Sequence, residues 1–243
     1  QDGSVFAWGR NDEGQLGDDS HTDRTSPIQV HDISTATAVA AGYDHALALL
    51  SDGTVASWGT NTYGGLGDGT DTDADEPVAA AGLDDVIAIG AGHWFSVALK
   101  DDHTVWTWGY NGYGQLADGT NTNRWSPAQV SGLSDIVQIA VGNDHALALS
   151  STGIVYAWGR NDRGQLGDGT TVDRWTPIAI SGTGMNWRVA TPTLSLASGQ
   201  YTTSQTVTVT IADPAATLRY TTTGVDPTSS DAIVSGGTIA VDQ

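Results

Sequence analysis

The sequence predicts an all-β protein: a partial, open β-propeller of about three and a half four-stranded blades with a 50-residue period, then a truncated β-sandwich module. Three observations carry this. Trp-Gly pairs begin at Trp8, Trp58, Trp108 and Trp158, and Pro27, Pro77, Pro127 and Pro177 keep the same step, as do Gly42, Gly92 and Gly142. Each period holds four short apolar segments, so that "VFAWG", "SPIQV", "TAVAAG" and "HALALL" answer to "VASWG", "EPVAA", "IAIGAG" and "FSVALK". Between them lie Gly-rich and Asp-rich turns, and 31 glycines among many Thr and Val suit short strands joined tightly. Four strands in about 40–50 residues make a unit the size of a propeller blade.

Within the unit each segment has a physical role. The Trp of the first segment (Trp8, Trp58, Trp108, Trp158) plugs the gap between neighbouring blades. The "GQLG" that follows uses glycine for positive φ in a tight turn, and its Leu folds under the Trp layer. Proline at the start of the next segment forgoes a donor that the ladder does not require there. In the third and fourth segments Gly42, Gly92 and Gly142 precede His45, Phe95 and His145 by three residues. His45 and His145 follow Asp44 and Asp144, an adjacency that suggests acid–base chemistry, yet Phe95 fills the same place. They are read as buried, hydrogen-bonded core histidines. Residues shared by every blade are needed for packing, and they form the structural repeat.

After Ile180 the pattern stops, so the unit carrying Trp158 is expected to be the incomplete one. From Pro192 a second pattern begins: "QTVTVTI" alternates Val207, Val209 and Ile211 inward, and "LRYTTTGVDPT" closes on a Gly224, Asp226, Pro227 turn. The expected organisation is residues 1–182 as propeller repeats, 183–191 as a linker and 192–243 as an incomplete sandwich. A closed four-bladed ring is the alternative to the open arc.

The words "DGTVxxWGxNxxGQLGDGT", then Pro, then "AxGxxHxLAL", resemble the repeat of the regulator of chromosome condensation family, over residues 1 to about 182. The resemblance implies a seven-bladed propeller and, from the family's namesake, guanine-nucleotide exchange on a small GTPase. "YTTxGxDPT" is similar to the immunoglobulin-like sandwich at the C-terminus of chitobiase and β-hexosaminidase enzymes, where that module is not the catalytic part. Together the two resemblances imply a piece of a longer bacterial secreted or surface polypeptide, placed outside the cell or on its surface.

Composition removes several function classes. There is no cysteine, so disulfides and thiolate metal sites are absent. With 28 acids against 9 bases and a formal charge of −19, the chain repels a phosphate backbone, and nucleic acid is not an expected partner. No apolar run reaches the roughly 18 residues of a membrane helix, so no membrane insertion is expected. The acidic "GDGTDTDADE", with Asp68, Asp71, Asp73 and Asp75, lacks the glycine and terminal Glu of a calcium loop and is read as a solvated turn. No nucleophile elbow, phosphate loop or metal-ligand spacing occurs. No catalytic residue, metal or cofactor is expected, and the protein is read as no enzyme.

Selectivity is therefore sought where the repeat varies. Arg10 becomes Thr60, Tyr110 and Arg160; Glu13 becomes Tyr63, Tyr113 and Arg163. In the next loop Arg24 and Thr25 become Ala74 and Asp75, then Arg124 and Trp125, then Arg174 and Trp175. A third loop carries Tyr43 and Asp44, then His93 and Trp94, then Asn143 and Asp144. The rim candidates are Arg10, Tyr63, Trp94, Tyr110, Tyr113, Arg124, Trp125, Arg160, Arg163, Arg174 and Trp175, because aromatic and Arg side chains dominate binding hot spots. Trp125 and Trp175 carry a second reading as caps on blade edges. The expected function is a non-enzymatic scaffold for a protein partner; nucleotide exchange and carbohydrate binding are the alternatives. Open propeller edges also invite self-association.

Overall fold

The computed structural model describes residues 2–180, together with strand backbone at 193–194, 205–210 and 238–241. The chain divides into two compact units, Gln1–Ser181 and Gly182–Gln243. In the first, β1 (Phe6–Gly9) and β2 (Arg24–Gln29) form a two-stranded antiparallel sheet. Three four-stranded antiparallel meanders follow: β3 (Ala36–Ala41), β4 (His45–Leu50), β5 (Val55–Gly59) and β6 (Ala74–Ala79); β7 (Val86–Ala91), β8 (Phe95–Lys100), β9 (Val105–Gly109) and β10 (Arg124–Gln129); β11 (Ile136–Val141), β12 (His145–Ser150), β13 (Val155–Gly159) and β14 (Arg174–Ala179). This is an open propeller of three complete blades preceded by half a blade.

The missing half lies at the opposite end from the one expected. The unit carrying Trp158 is complete, and β1–β2 is the half-blade. A sequence period fixes spacing but not which neighbours bond, and hydrogen bonding joins the second half of one period to the first half of the next. His45 thus pairs with Gly59, Phe95 with Gly109 and His145 with Gly159, in one register throughout.

The core sits between blades. Leu47 and Leu49 on β4 cluster with Ala98 and Trp108 of the second blade, and Phe95, Val97 and Leu99 on β8 with Ala148 and Trp158 of the third. Val30 and Ile33 of the first segment join Ala48, Ala56 and Trp58. Trp58, Trp108 and Trp158 are at most 2% exposed. Each indole Nε1 donates to a carbonyl in the turn of the preceding unit: Trp58 to Gln15 at 3.0 Å, Trp108 to Gly65 at 2.8 Å and Trp158 to Gln115 at 2.8 Å. The "GQLG" turn passes so close to the ring that a Cβ on Gly67, at φ +73, would lie 2.7 Å from Nε1 of Trp108.

Trp8 departs from its expected role as a plug: it is 63% exposed. Gly42, Gly92 and Gly142 hold their structural role through close approach. The ring three residues later folds back over each, and an added Cβ would lie 2.5 Å from His45 Cε1, 2.1 Å from Phe95 Cε1 and 2.3 Å from His145 Cε1.

In the second unit β15 (Thr193–Leu194), β16 (Gln205–Thr210) and β17 (Thr238–Val241) form an antiparallel sheet in that order. The expected linker at 183–191, the inward Val207, Val209 and Ile211, and the rest of the immunoglobulin-like sandwich lie outside the described residues.

Candidate binding surface on the loop face

The antiparallel meander brings two kinds of loop to the same end of each blade: the tight turns at 42–44, 92–94 and 142–144, and the long loops that leave β5, β9 and β13. A backbone bond ties the two together in every blade, from Thr60 N to Asp44 O, Tyr110 N to Trp94 O and Arg160 N to Asp144 O, each 2.8 Å.

The long loops are organised by an asparagine that the sequence reading did not single out. Asn11, Asn61, Asn111 and Asn161 are fully buried. In each, Oδ1 accepts from the amide of the "GQLG" Leu at 2.9–3.0 Å. The Nδ2 donates to the carboxylate seven residues on, Asp18, Asp68, Asp118 or Asp168. The backbone amide of the same Asn is received by Asp23, Asp73, Asn123 or Asp173. The constant spacing of these polar residues in all four units was the signal that could have found them. It also accounts for the acidic stretch: Asp68 and Asp73 are loop braces. Among the described residues no group of three His, Asp or Glu side chains is arranged to hold a metal ion.

The rim candidates separate into two groups. Arg124 and Arg174 are committed to the scaffold, bridging to Asp118 at 2.7 Å and to Asp168, as Arg24 does to Asp18. Against the opposing effect of burial, hydrogen bonds from Thr170, then Arg174 and Asn161, hold the Asp168 carboxyl well below the usual carboxylate range. Trp125 and Trp175 are 40% and 44% exposed and make no ring contact with the other candidates. Their backbone forms part of the joint between blades: Gly69 N donates to Trp125 O at 2.9 Å and Gly119 N to Trp175 O at 2.8 Å. Arg10 lies on the first loop, bonded to Asp12 and Asp44.

Tyr63, Trp94, Tyr110, Tyr113 and Arg160 come together. Tyr63 lies 5.0 Å from both Trp94 and Tyr110, ring centre to ring centre, and Trp94 meets Tyr110 edge-on at 5.7 Å. Tyr110 continues to Tyr113 at 6.1 Å, and the Arg160 guanidinium caps the Tyr113 ring at 4.7 Å. On the other side His93 stacks on Trp94 at 3.9 Å and reaches Tyr43, which is 64% exposed. The result is a continuous aromatic ridge built from the first two complete blades and capped by Arg160 of the third.

The ridge is held from beneath. Asp144 accepts from Arg160 at 3.2 Å and from the buried Gln115 at 3.3 Å, while Gln115 Oε1 accepts from the Tyr113 amide at 2.9 Å. A second carboxylate, Asp162, receives Arg160 at 2.8 Å. Arg163 is the exception among the candidates, with an 87% exposed side chain 3.9 Å from Asp162. Burial, then the neighbouring tyrosines, pushes the Tyr110 phenol up, so it stays protonated and can donate throughout the neutral range.

Of the two repeat histidines only His45 is buried in the core. His45 is 2% exposed, its Nε2 3.0 Å from Ser96 Oγ, and that hydroxyl donates in turn to Gly65 O at 2.8 Å. The Ser96 proton is thus used, Nε2 of His45 is the donor, and Nδ1 is left buried without a partner among the described residues. Burial lowers its pKa to about 4. His145, at the equivalent place, departs from the expected buried, hydrogen-bonded histidine: it is only partly buried and its ring has no hydrogen bond among the described residues, though burial lowers its pKa too.

A model of the RCC1-like domain matches residues 1–209. Human WBSCR16 is similar in structure, with a TM-score of 0.68 at 26% identity over 75% of this chain and 50% of that one. Prp20p from Saccharomyces cerevisiae, studied for its binding to Gsp1p and histones, gives 0.67 at 23% identity over 74% and 47%. Yeast RCC1 (Prp20) bound to Kap60 gives 0.66 at 24% over 78% and 47%. The chain therefore spans about half the length of these structures. No curated protein sequence matches it.

Proposed function

Because the chain belongs to the RCC1-like domain family, we propose that it is a non-enzymatic propeller scaffold, working outside the cell or on its surface, whose aromatic ridge receives a protein partner. One observation carries the reading. Side chains that the repeat leaves free to vary converge into one run of rings from Tyr43 to Tyr113, on two blades, capped by Arg160 of a third and held by backbone bonds and by a part-buried Gln–Asp–Arg network. Rings on a rigid, hydrogen-bonded base give up little freedom on binding, which is what makes Tyr, Trp and Arg dominate protein interfaces.

Capture of surface and secreted proteins by the immobilised full chain tests it. Trp94→Ala and Tyr113→Ala are expected to lose the retained partner, and Trp125→Ala, outside the ridge, to keep it. Retention unchanged in all three would sink the proposal. Nucleotide exchange is separated by measuring release from a panel of small GTPases, and a carbohydrate ligand by a glycan array; a response in either moves the function to that class.

A further inference from the structure

The four long loops share one plan, so each can be read against the others. Arg24, Ala74, Arg124 and Arg174 open the strand after the loop, and each pairs with the positive-φ glycine at the loop's start, Gly9, Gly59, Gly109 or Gly159. In three loops this register brings an arginine onto the Asp six residues before it.

The two oxygens of that Asp divide the work. In Asp18, Asp118 and Asp168, Oδ1 accepts from the brace Asn and from the hydroxyl of Ser20, Thr120 or Thr170. Oδ2 takes the guanidinium: from Arg24 through Nε at 2.8 Å and Nη2 at 2.6 Å, from Arg124 through Nη2 at 2.7 Å, and from Arg174 through both Nε and Nη2. These carboxylate side chains are 2%, 15% and 7% exposed, and a charge so placed needs a partner.

The loop of the first complete blade keeps the brace and changes the partner. Asp68 Oδ1 accepts from Asn61 Nδ2 at 3.0 Å and from the Thr70 amide at 2.9 Å. Ala74 stands in the arginine's register, so Oδ2 has only the Thr70 hydroxyl, at 2.9 Å, which Oδ1 shares at 3.0 Å. Asp68 is part-buried, and among the described residues it makes no ion pair. From Thr60 to Ala74 there is no Lys, Arg or His, whereas each of the other three loops carries at least one Arg. Asp71 and Asp73 add to the negative charge.

We infer that Asp68 receives the guanidinium of an arginine carried by a protein partner, at a docking point separate from the aromatic ridge. The carboxylate is held in the posture that binds a guanidinium in three sister loops, and the surplus of acid around it draws a cation in. Arginine suits it better than lysine, because a planar fork sets Nε and Nη2 on one oxygen together and a single ammonium cannot. A metal ion suits it less, since among the described residues no three His, Asp or Glu side chains converge. One such pair on a part-open surface is weak, so the arginine belongs to a partner held by further contacts.

NMR on the full chain, titrated with blocked arginine (N-acetyl, N-methylamide) at fixed ionic strength, tests the inference. The Asn61 side-chain amide, bonded to Asp68, should shift and saturate within the tens of millimolar, while those of Asn11, Asn111 and Asn161 stay in place. Blocked lysine should bind at least tenfold more weakly, and blocked citrulline should leave the signal unmoved. Ala74→Arg installs the sister bridge, so it should raise the melting temperature and abolish the response; Asp68→Asn, which keeps an oxygen for the brace, should abolish it too. An Asn61 amide that does not move, four Asn amides that move alike, a larger response to calcium chloride than to blocked arginine, or a response that survives in Ala74→Arg would each overturn the proposal. Loss of the ridge partner in Trp94→Ala leaves this readout untouched, so the two sites stand or fall separately.

Discussion

At the scale of single residues, one tryptophan in four tests the logic of the repeat. Trp108 is fully buried and bonded to Gly65 O, and its truncation to Ala should cost about 3–5 kcal/mol. The same change at the exposed Trp8 should leave the unfolding free energy within about 0.5 kcal/mol at concentrations where the chain is monomeric. Chemical denaturation of the two variants side by side measures both. His45 offers a second test. Its pKa is lowered to about 4 by burial, so the unfolded chain binds its proton first and stability falls as pH drops below about 6.5 towards 4. NMR titration should find the ring neutral at pH 5, and His45→Phe should remove this acid sensitivity at a cost within about 1 kcal/mol, because Phe95 already fills the equivalent seat. That equivalence was legible from the sequence, since an aromatic hydrocarbon in one blade cannot share a catalytic role with imidazole in the next. The Asn braces were not: a buried amide in a polar loop is spelled like a solvated turn, and only the folded loop shows Asn61 with its acceptors and donors all engaged.

At the scale of elements, the joint between the half-blade and the first complete blade differs from the other two. Two histidines cross it: His21 Nε2 meets Asp75 at 2.9 Å and His31 Nδ1 meets Glu76 at 2.9 Å. The Asp12 carbonyl and then Asp75 raise the pKa of His21, and Glu76 raises that of His31, with Asp19 and Asp32 adding to it. A histidine whose folded pKa is raised contributes fully below the unfolded value of about 6.5, and its contribution is lost as pH rises through the folded pKa. Amide exchange in β1 and β2 should therefore accelerate between about pH 6 and 8 beyond its intrinsic rate, and His21→Gln with His31→Gln should flatten the difference. The other joints carry Trp125 and Ser126, then Trp175 and Thr176, at the positions of Asp75 and Glu76, and should show no such window. Strand number and spacing could be read from the recurring Trp, Pro and Gly. The phase of the blades could not, because bonding between β4 and β5 crosses from one period into the next and leaves no mark on composition.

At the scale of the whole molecule, the side chains that vary from blade to blade divide into a gathered group and a group bound into the scaffold. Tyr63, Trp94, Tyr110, Tyr113 and Arg160 vary from blade to blade and gather on one surface. Arg124 and Arg174 vary too, since Ala74 stands at the same place, yet both are tied to an Asp beneath them. Variation marks a position the fold can spare, not one it never uses. Partner binding should accordingly fall tenfold or more, about 1.4 kcal/mol, on Trp94→Ala or Tyr113→Ala, while Arg124→Ala should lower the melting temperature before it touches affinity. The indole-to-carbonyl step has a consequence of another kind. Each ring reaches a peptide oxygen 43 residues earlier, so excising 66–115 would fuse Gly65 to Leu116 and hand Trp158 the oxygen that now serves Trp108. Gene-level duplication or loss of one such cassette thus leaves every neighbour matched, and a lineage can lengthen or shorten this molecule, adding or dropping display sites, without inventing a new seam.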